Sequence, residues 1–185
     1  MEKLTAKQIV ERIPGLVQEK ELQFLAISCT TIPLYTDVVE LGCFMGRTTA
    51  YLCQFFPMHR VTAIDSFVMQ HHGENSQQNT IQRLAAMGHH PIVLKAESSV
   101  VPDFIHKVGF LMIDTDHVEK QLEKELDAWL PKVVVDGVVY LHDYSNPKWP
   151  EIFTYVNKRL LHNPNFMCIG HFRYLVGFRR IKEDG

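Results

Sequence analysis

A chain of 185 residues with 46% hydrophobic content can bury one sizeable core, and its length fits a single domain over residues 1–185. Nineteen basic and twenty-one acidic residues leave a net charge of -2, which excludes the strongly basic field that recruits nucleic acid or an anionic membrane surface. No apolar run is long enough for a bilayer span and Met1-Glu2-Lys3-Leu4 does not open a signal peptide, so the expected location is the cytoplasm. Cys29, Cys43, Cys53 and Cys168 lack the close spacing of a zinc knuckle or a disulfide framework and read as buried thiols.

Thr5 with Gln8 makes a capping box ahead of a helix bearing Ile9, Val10 and Ile13, which Pro14-Gly15 stops. Leu22, Leu25, Ala26 and Cys29 share one face of a second helix. Together they form a helical cover over residues 1–35, expected at a sheet edge or at a contact between subunits, where their apolar faces suit a homo-oligomer. Residues 36–180 read as an α/β core. It opens on Val38-Val39-Glu40-Leu41-Gly42-Cys43-Phe44-Met45-Gly46-Arg47-Thr48-Thr49: a buried strand ending in an acid, a glycine turn, then hydroxyls at the start of a helix over 48–56. The glycines tolerate positive φ and are expected to let the backbone approach a ligand closely. The helix N-terminus favours an anionic group. Glu40 repels a pyrophosphate but attracts a cationic amine, so the pattern suits a zwitterionic amino-acid tail.

Further along, Val61-Thr62-Ala63-Ile64-Asp65 is a strand ending in an acid, followed by a polar loop, a helix over 80–87 closed by Gly88, and a strand Ile92-Val93-Leu94 leading into Glu97-Ser98-Ser99. Phe110-Leu111-Met112-Ile113 runs into Asp114-Thr115-Asp116-His117; a helix over 119–130 precedes Val138-Val139-Tyr140-Leu141, which ends in His142-Asp143-Tyr144. Parallel strands buried on both faces read as such apolar runs, and their ligands bind beyond the carboxyl ends, where Glu40, Asp65, Glu97, Asp114 and His142 all fall. After a helix over 150–161, the strands at 166–169 and 174–178 are too close for a parallel crossover and form an antiparallel hairpin. The expected fold is a doubly wound, Rossmann-like α/β protein with a seven-stranded sheet and a C-terminal antiparallel hairpin.

With these residues in place, the chain resembles the class I S-adenosylmethionine-dependent methyltransferases. The likeness is to the metal-dependent O-methyltransferase branch typified by catechol O-methyltransferase and to small bacterial relatives acting on sugars and natural products. It rests on Glu40-Leu41-Gly42-Cys43-Phe44-Met45-Gly46-Arg47-Thr48 and covers about residues 36–180. The resemblance implies that Glu40 and the backbone around Gly42 and Phe44, within the turn that Gly46 completes, contact the methionine part of S-adenosylmethionine. It further implies that Thr48 holds the cofactor carboxylate, Asp65 accepts the ribose hydroxyls, and Glu97-Ser98 meets adenine. Asp114 is assigned both to the cofactor site and, with His142 and Asp143, to a metal site.

Methyl transfer from a sulfonium requires alignment of donor and acceptor and a nucleophilic hydroxyl. Either a divalent ion such as Mg²⁺ or Mn²⁺ lowers the hydroxyl pKa, or a histidine removes its proton; His142 and His117, aligned with the family's general-base lysine, are the catalytic candidates. His142 departs from the acidic pair of relatives and shifts the preference from Mg²⁺ towards Mn²⁺, Fe²⁺ or Zn²⁺. His71-His72 and His89-His90 read as solvated loop histidines, Trp129 as core, and Trp149 as either packing or an acceptor-pocket wall. The expected partner is a small hydroxylated acceptor (sugar, phenol or natural product), with no nucleic acid or membrane. The alternatives are a nicotinamide-binding oxidoreductase, for which the G-x-G-x-x-G fingerprint is missing, and a non-catalytic scaffold of the same fold.

Overall fold

The computed structural model describes residues 3–29, 31–69, 75–116 and 118–183. Two short helices, α1 (Ala6–Arg12) and α2 (Glu19–Ser28), precede alternating elements: β1 (Asp37–Leu41), α3 (Arg47–Phe55), β2 (Arg60–Asp65), α4 (Gln77–Ala86) and β3 (Ile92–Lys95). Then follow β4 (Val108–Ile113), α5 (Glu119–Trp129), β5 (Val133–Leu141), α6 (Pro150–Val156), β6 (Phe166–Phe172) and β7 (Leu175–Arg180). A single 3₁₀ turn, Leu130–Lys132, extends α5, and a π-helical turn, Asn157–Leu161, extends α6. The capping box at Thr5 and Gln8 forms as expected.

The seven strands lie in the order β3-β2-β1-β4-β5-β7-β6. The first five are parallel, β7 runs antiparallel to β5, and β6 closes the edge as the antiparallel hairpin. Side chains alternate between faces. Val38, Phe110 and Val138 pack under α1, α2 and α3, whereas Val39, Leu111 and Val139 pack under α5 and α6. β5 begins five residues earlier than its apolar run because a bulge, with Asp136 at φ 65° followed by Gly137, interrupts the pattern.

Of the N-terminal helices, α2 packs against the edge strand β6, and α1 lies against α2 and α3. They cover the face over the antiparallel half of the sheet, where Phe24 meets Tyr140 edge-on and stacks on Phe172, and Ser28 shares a 2.8 Å hydrogen bond with the Tyr140 hydroxyl. That face needs such a cover because α6, which follows β5, packs on the opposite side. Cys29 and Cys43 are buried as expected, but Cys53 is only partly so and Cys168 is exposed, since it lies on the outer strand β6. Among the described residues, no helix is long and apolar enough to cross a membrane.

Candidate functional site

Beyond the strand ends the ladder continues for one more step: Gly42 donates to the carbonyl of Ile64, Asp114 to that of Leu41, and His142 to that of Ile113. The residues after β1, β2, β4 and β5 are thereby held level. The order in which strands are added across the sheet reverses between β1 and β4, with connections departing to opposite sides, and a crevice opens there. The crevice is a cleft of about 950 Å³ continuous with solvent, bordered by Glu40, Phe44, Asp65, Glu97 and Asp114, with the α1–α2 turn at its mouth. Gly42, Thr48 and Ser98 also line it.

Glu40 is 2% exposed and accepts the Thr49 hydroxyl at 2.5 Å. Burial pushes its pKa up to about 8; the Thr49 bond works against that shift, and the charges of Asp114 and Asp65 add to it. A cationic group arriving in the cleft would find here a carboxyl group with no positive partner among the described residues. Asp65 shapes the opposite wall: Oδ2 accepts the Phe44 N–H at 2.7 Å and Oδ1 the Phe67 N–H at 2.6 Å, so one carboxylate stabilises two residues with left-handed backbone, at φ 49° and 53°. Each oxygen retains a lone pair for a further donor.

The two glycines of the turn are required by packing within the protein. At Gly42 (φ 81°) a Cβ would run into the carbonyl of Asp114, and at Gly46 (φ 88°) it would press on Thr80 and Leu84. Close packing thus requires both glycines; Gly42 also lines the cleft, and Gly46 does not.

Ser98 belongs to a buried network. Its hydroxyl donates to Glu125, which is 0% exposed and also accepts the Thr115 hydroxyl at 2.9 Å. Gln121 donates its amide to Ser98 at 2.9 Å and to Glu125 at 3.2 Å, and Trp129 donates its indole N–H to the Ser98 carbonyl at 2.6 Å. Burial raises the Glu125 pKa against the pull of these donors. Sequence reasoning missed Glu125 and Gln121, although an acid on the apolar stripe of Leu122, Leu126 and Trp129 is a legible signal. Arg47, likewise overlooked, reaches back to the carbonyls of Ile13 (2.7 Å) and Val17 (2.8 Å), pinning the α1–α2 turn to the cleft. Trp149, at the start of α6, is 37% exposed and does not border the cleft.

At the ends of β4 and β5, the His142 Nδ1 lies 3.2 Å from an oxygen of Asp114 and 3.2 Å from one of Asp143. Asn146 donates to the other Asp143 oxygen at 2.6 Å. From α2, Glu21 turns Oε1 towards His142 Nε2 at 3.5 Å, an ion-pair distance. Burial opposes charge on the imidazole, but Asp114, Asp143 and Glu21 outweigh it and push its pKa up to about 12. Three carboxylates thus call for a positive charge at their centre. One donor atom each from Asp114, His142 and Asp143 lies within 4.8 Å of the others, and no further group of three or more such residues gathers among the described residues. Adjacent ligands around an ion with bonds of about 2.1 Å stand about 3.0 Å apart, so the donor set fits a divalent cation, and its mixture of nitrogen and oxygen suits a transition metal better than Mg²⁺.

His117 and the His71-His72 pair lie outside the described residues. His89 and His90 sit at the far side of the sheet, beside a separate depression that includes His59. Burial pushes the thiol of Cys29 up to about 11, that of the partly buried Cys53 to about 12 and that of Cys43 well above the usual thiol range, which disfavours the thiolate.

No curated protein matches the sequence. Among solved structures, the chain is similar to the O-methyltransferase NovP (18% identity, TM-score 0.73, covering 91% of this chain and 82% of that one). It is also similar to CalS11, a TDP-rhamnose 3'-O-methyltransferase of calicheamicin biosynthesis (17% identity, TM-score 0.66, 86% and 77% covered). A third likeness is to the MycE methyltransferase of the mycinamycin pathway, solved with Mg, SAH and mycinamycin VI (12% identity, TM-score 0.70, 98% and 56% covered). At such identities these likenesses establish the fold. A family model described as a methyltransferase domain matches residues 39–144, from β1 to the turn after β5. That match covers more than half of the chain, which therefore belongs to the methyltransferase-domain family, with the fold of the class I S-adenosylmethionine-dependent enzymes.

Proposed function

We propose that the protein transfers a methyl group from S-adenosylmethionine to the hydroxyl of a small acceptor, a sugar, phenol or natural product, with assistance from a divalent metal. The observation that carries this reading is the convergence of Glu40, Asp65 and Asp114 on one cleft at the switch point of the sheet. NovP and CalS11, which share the fold, are named as O-methyltransferases, CalS11 with a sugar nucleotide as acceptor, and support the choice of hydroxyl over other nucleophiles; MycE, solved with Mg and mycinamycin VI, supports a natural-product acceptor and a metal.

S-adenosylmethionine supplies a methyl group on a sulfonium, already activated for displacement. Glu40 draws the ammonium of the methionine part, and its bond to Thr49 keeps the carboxylate facing the cleft. Thr48, at the start of α3, offers a hydroxyl to the carboxylate end. Asp65 accepts from the ribose hydroxyls with the lone pairs that Phe44 and Phe67 leave free. Glu97, Ser98 and Gln121 form the wall for adenine. Asp114, His142 and Asp143 would hold a divalent ion, which would supply Lewis acidity to lower the pKa of an acceptor hydroxyl. His142 would be a ligand there and not the base: its Nδ1 stands 3.2 Å from an oxygen of each of Asp114 and Asp143, where an ion would displace the proton, and a nitrogen given to the ion is not available to accept a proton from the acceptor.

Isothermal titration with S-adenosylhomocysteine, followed by mass spectrometry of a hydroxylated acceptor panel incubated with S-adenosylmethionine, tests the proposal. Saturable heat and a product heavier by one methylene unit are expected. No heat at millimolar ligand with folded protein overturns it.

A further inference from the structure

Glu21 is the one carboxylate at the His142 centre that no strand end supplies. It projects from α2 and is 1% exposed. Its Oε2 is engaged, accepting the Gln18 N–H at 2.8 Å as part of the helix capping box. Its Oε1 has no hydrogen-bond partner among the described residues, and neither does the Nε2 of His142 that faces it; both atoms are buried. Two buried polar atoms left unsatisfied opposite each other are costly unless a small adjustment of either side chain closes the gap.

The two edges of the imidazole face different demands. Nδ1 stands between Asp114 and Asp143, where a cation belongs, and Nε2 meets only Glu21. A neutral imidazole carries its proton on one nitrogen, and only the other offers a lone pair to a metal. An acceptor opposite Nε2 places the proton there and frees Nδ1.

We propose that Glu21 is a positioning residue of the metal centre. It receives the Nε2–H of His142 and so presents Nδ1 as the nitrogen ligand beside Asp114 and Asp143, making the N-terminal helices part of the catalytic apparatus as well as a cover for the sheet. This inference rests on the metal-assisted reading above. The nitrogen ligand biases the site towards Mn²⁺, Fe²⁺ or Co²⁺ over Mg²⁺.

The test titrates chelator-treated full-length protein with Co²⁺ by calorimetry and by its visible absorption. The wild type is expected to bind one Co²⁺ more tightly than Mg²⁺. Glu21→Leu should lose about 10- to 100-fold in Co²⁺ affinity, the usual effect of removing a carboxylate behind a ligating histidine. Glu21→Gln should recover part of that loss, because its amide oxygen accepts the same N–H, and Glu21→Leu should have no further effect once His142→Ala is present. A readout independent of variants is the ¹⁵N spectrum of histidine-labelled protein with Zn²⁺, in which His142 should carry its proton on Nε2. Unchanged Co²⁺ affinity in Glu21→Leu, a proton on Nδ1, or no Co²⁺ binding by wild type that still binds S-adenosylhomocysteine overturns the inference. No binding of S-adenosylhomocysteine overturns the proposed function instead.

Discussion

Thr49 donates its hydroxyl to Glu40 at 2.5 Å from the first turn of α3, so the helix that follows the glycine turn aims the acid that precedes it. The pair sets a pH signature. Burial raises Glu40 from 4.5 to about 8, so between those values the folded protein keeps a proton that the unfolded chain has shed. Glu40 therefore favours folding most at the low end of that window, and its contribution falls as pH rises, by about 1.4 kcal/mol per unit at the steepest. Denaturation of wild type and Glu40→Gln from pH 5 to 9 should show the wild type losing ground to the variant up to about pH 8. Titrations in buffers of different ionisation enthalpy should also detect proton release when an ammonium-bearing ligand binds wild type near pH 7, and none from the variant.

Asp65 is expected to be structural and functional at once. In Asp65→Asn one oxygen becomes an NH₂ group facing a backbone N–H that needs an acceptor, so Phe44 or Phe67 loses support for its left-handed conformation. The cost should be about 1–3 kcal/mol of stability. Affinity for S-adenosylhomocysteine should fall by about tenfold or more, each tenfold step being about 1.4 kcal/mol. Chemical denaturation measures the first and calorimetry the second. Loss of stability without loss of affinity would confine Asp65 to the turn.

The parallel strands and their terminal acids were legible because burial on both faces leaves uninterrupted apolar runs, with Val38, Val61 and Phe110 as examples. The start of β5 was not, since Asp136 and Gly137 break its run at a bulge. Glu40, Asp65 and Asp114 stood out as acids at apolar strand ends. Glu21 did not, because only the packing of α2 on the sheet brings it to His142. Arg47 sat inside the glycine motif, but its acceptors are backbone carbonyls, which carry no mark in a sequence.

Those carbonyls give Arg47 a measurable task. Its Nε serves Ile13, one terminal nitrogen serves Val17, and the other reaches Val10 at 3.4 Å, a fork that lysine cannot reproduce from a single ammonium. Arg47→Lys should free residues 13–17 from the mouth of the cleft, with about 1–2 kcal/mol lost from global stability. Limited proteolysis should then cut within that turn, and S-adenosylhomocysteine should leave faster. Unchanged proteolysis would show that packing alone holds the turn.

Glu125 collects the hydroxyls of Ser98 and Thr115 and the amide of Gln121 in a fully buried position, and each of those donors borders the cleft. Removing the acceptor strands them together, so Glu125→Leu should cost about 2–4 kcal/mol despite adding apolar volume, whereas Glu125→Gln should cost less by retaining one acceptor oxygen. Because Gln121 commits its NH₂ to Ser98 and Glu125, its carbonyl oxygen is the atom left to accept a donor from the cleft. Adenine presents such a donor in its exocyclic amine, and hypoxanthine presents a carbonyl in the same place. The wild type should therefore bind S-adenosylhomocysteine at least tenfold more tightly than S-inosylhomocysteine, and Gln121→Leu should narrow the difference by weakening the first. Equal affinities in the wild type would mean that Gln121 supports the wall without reading the base.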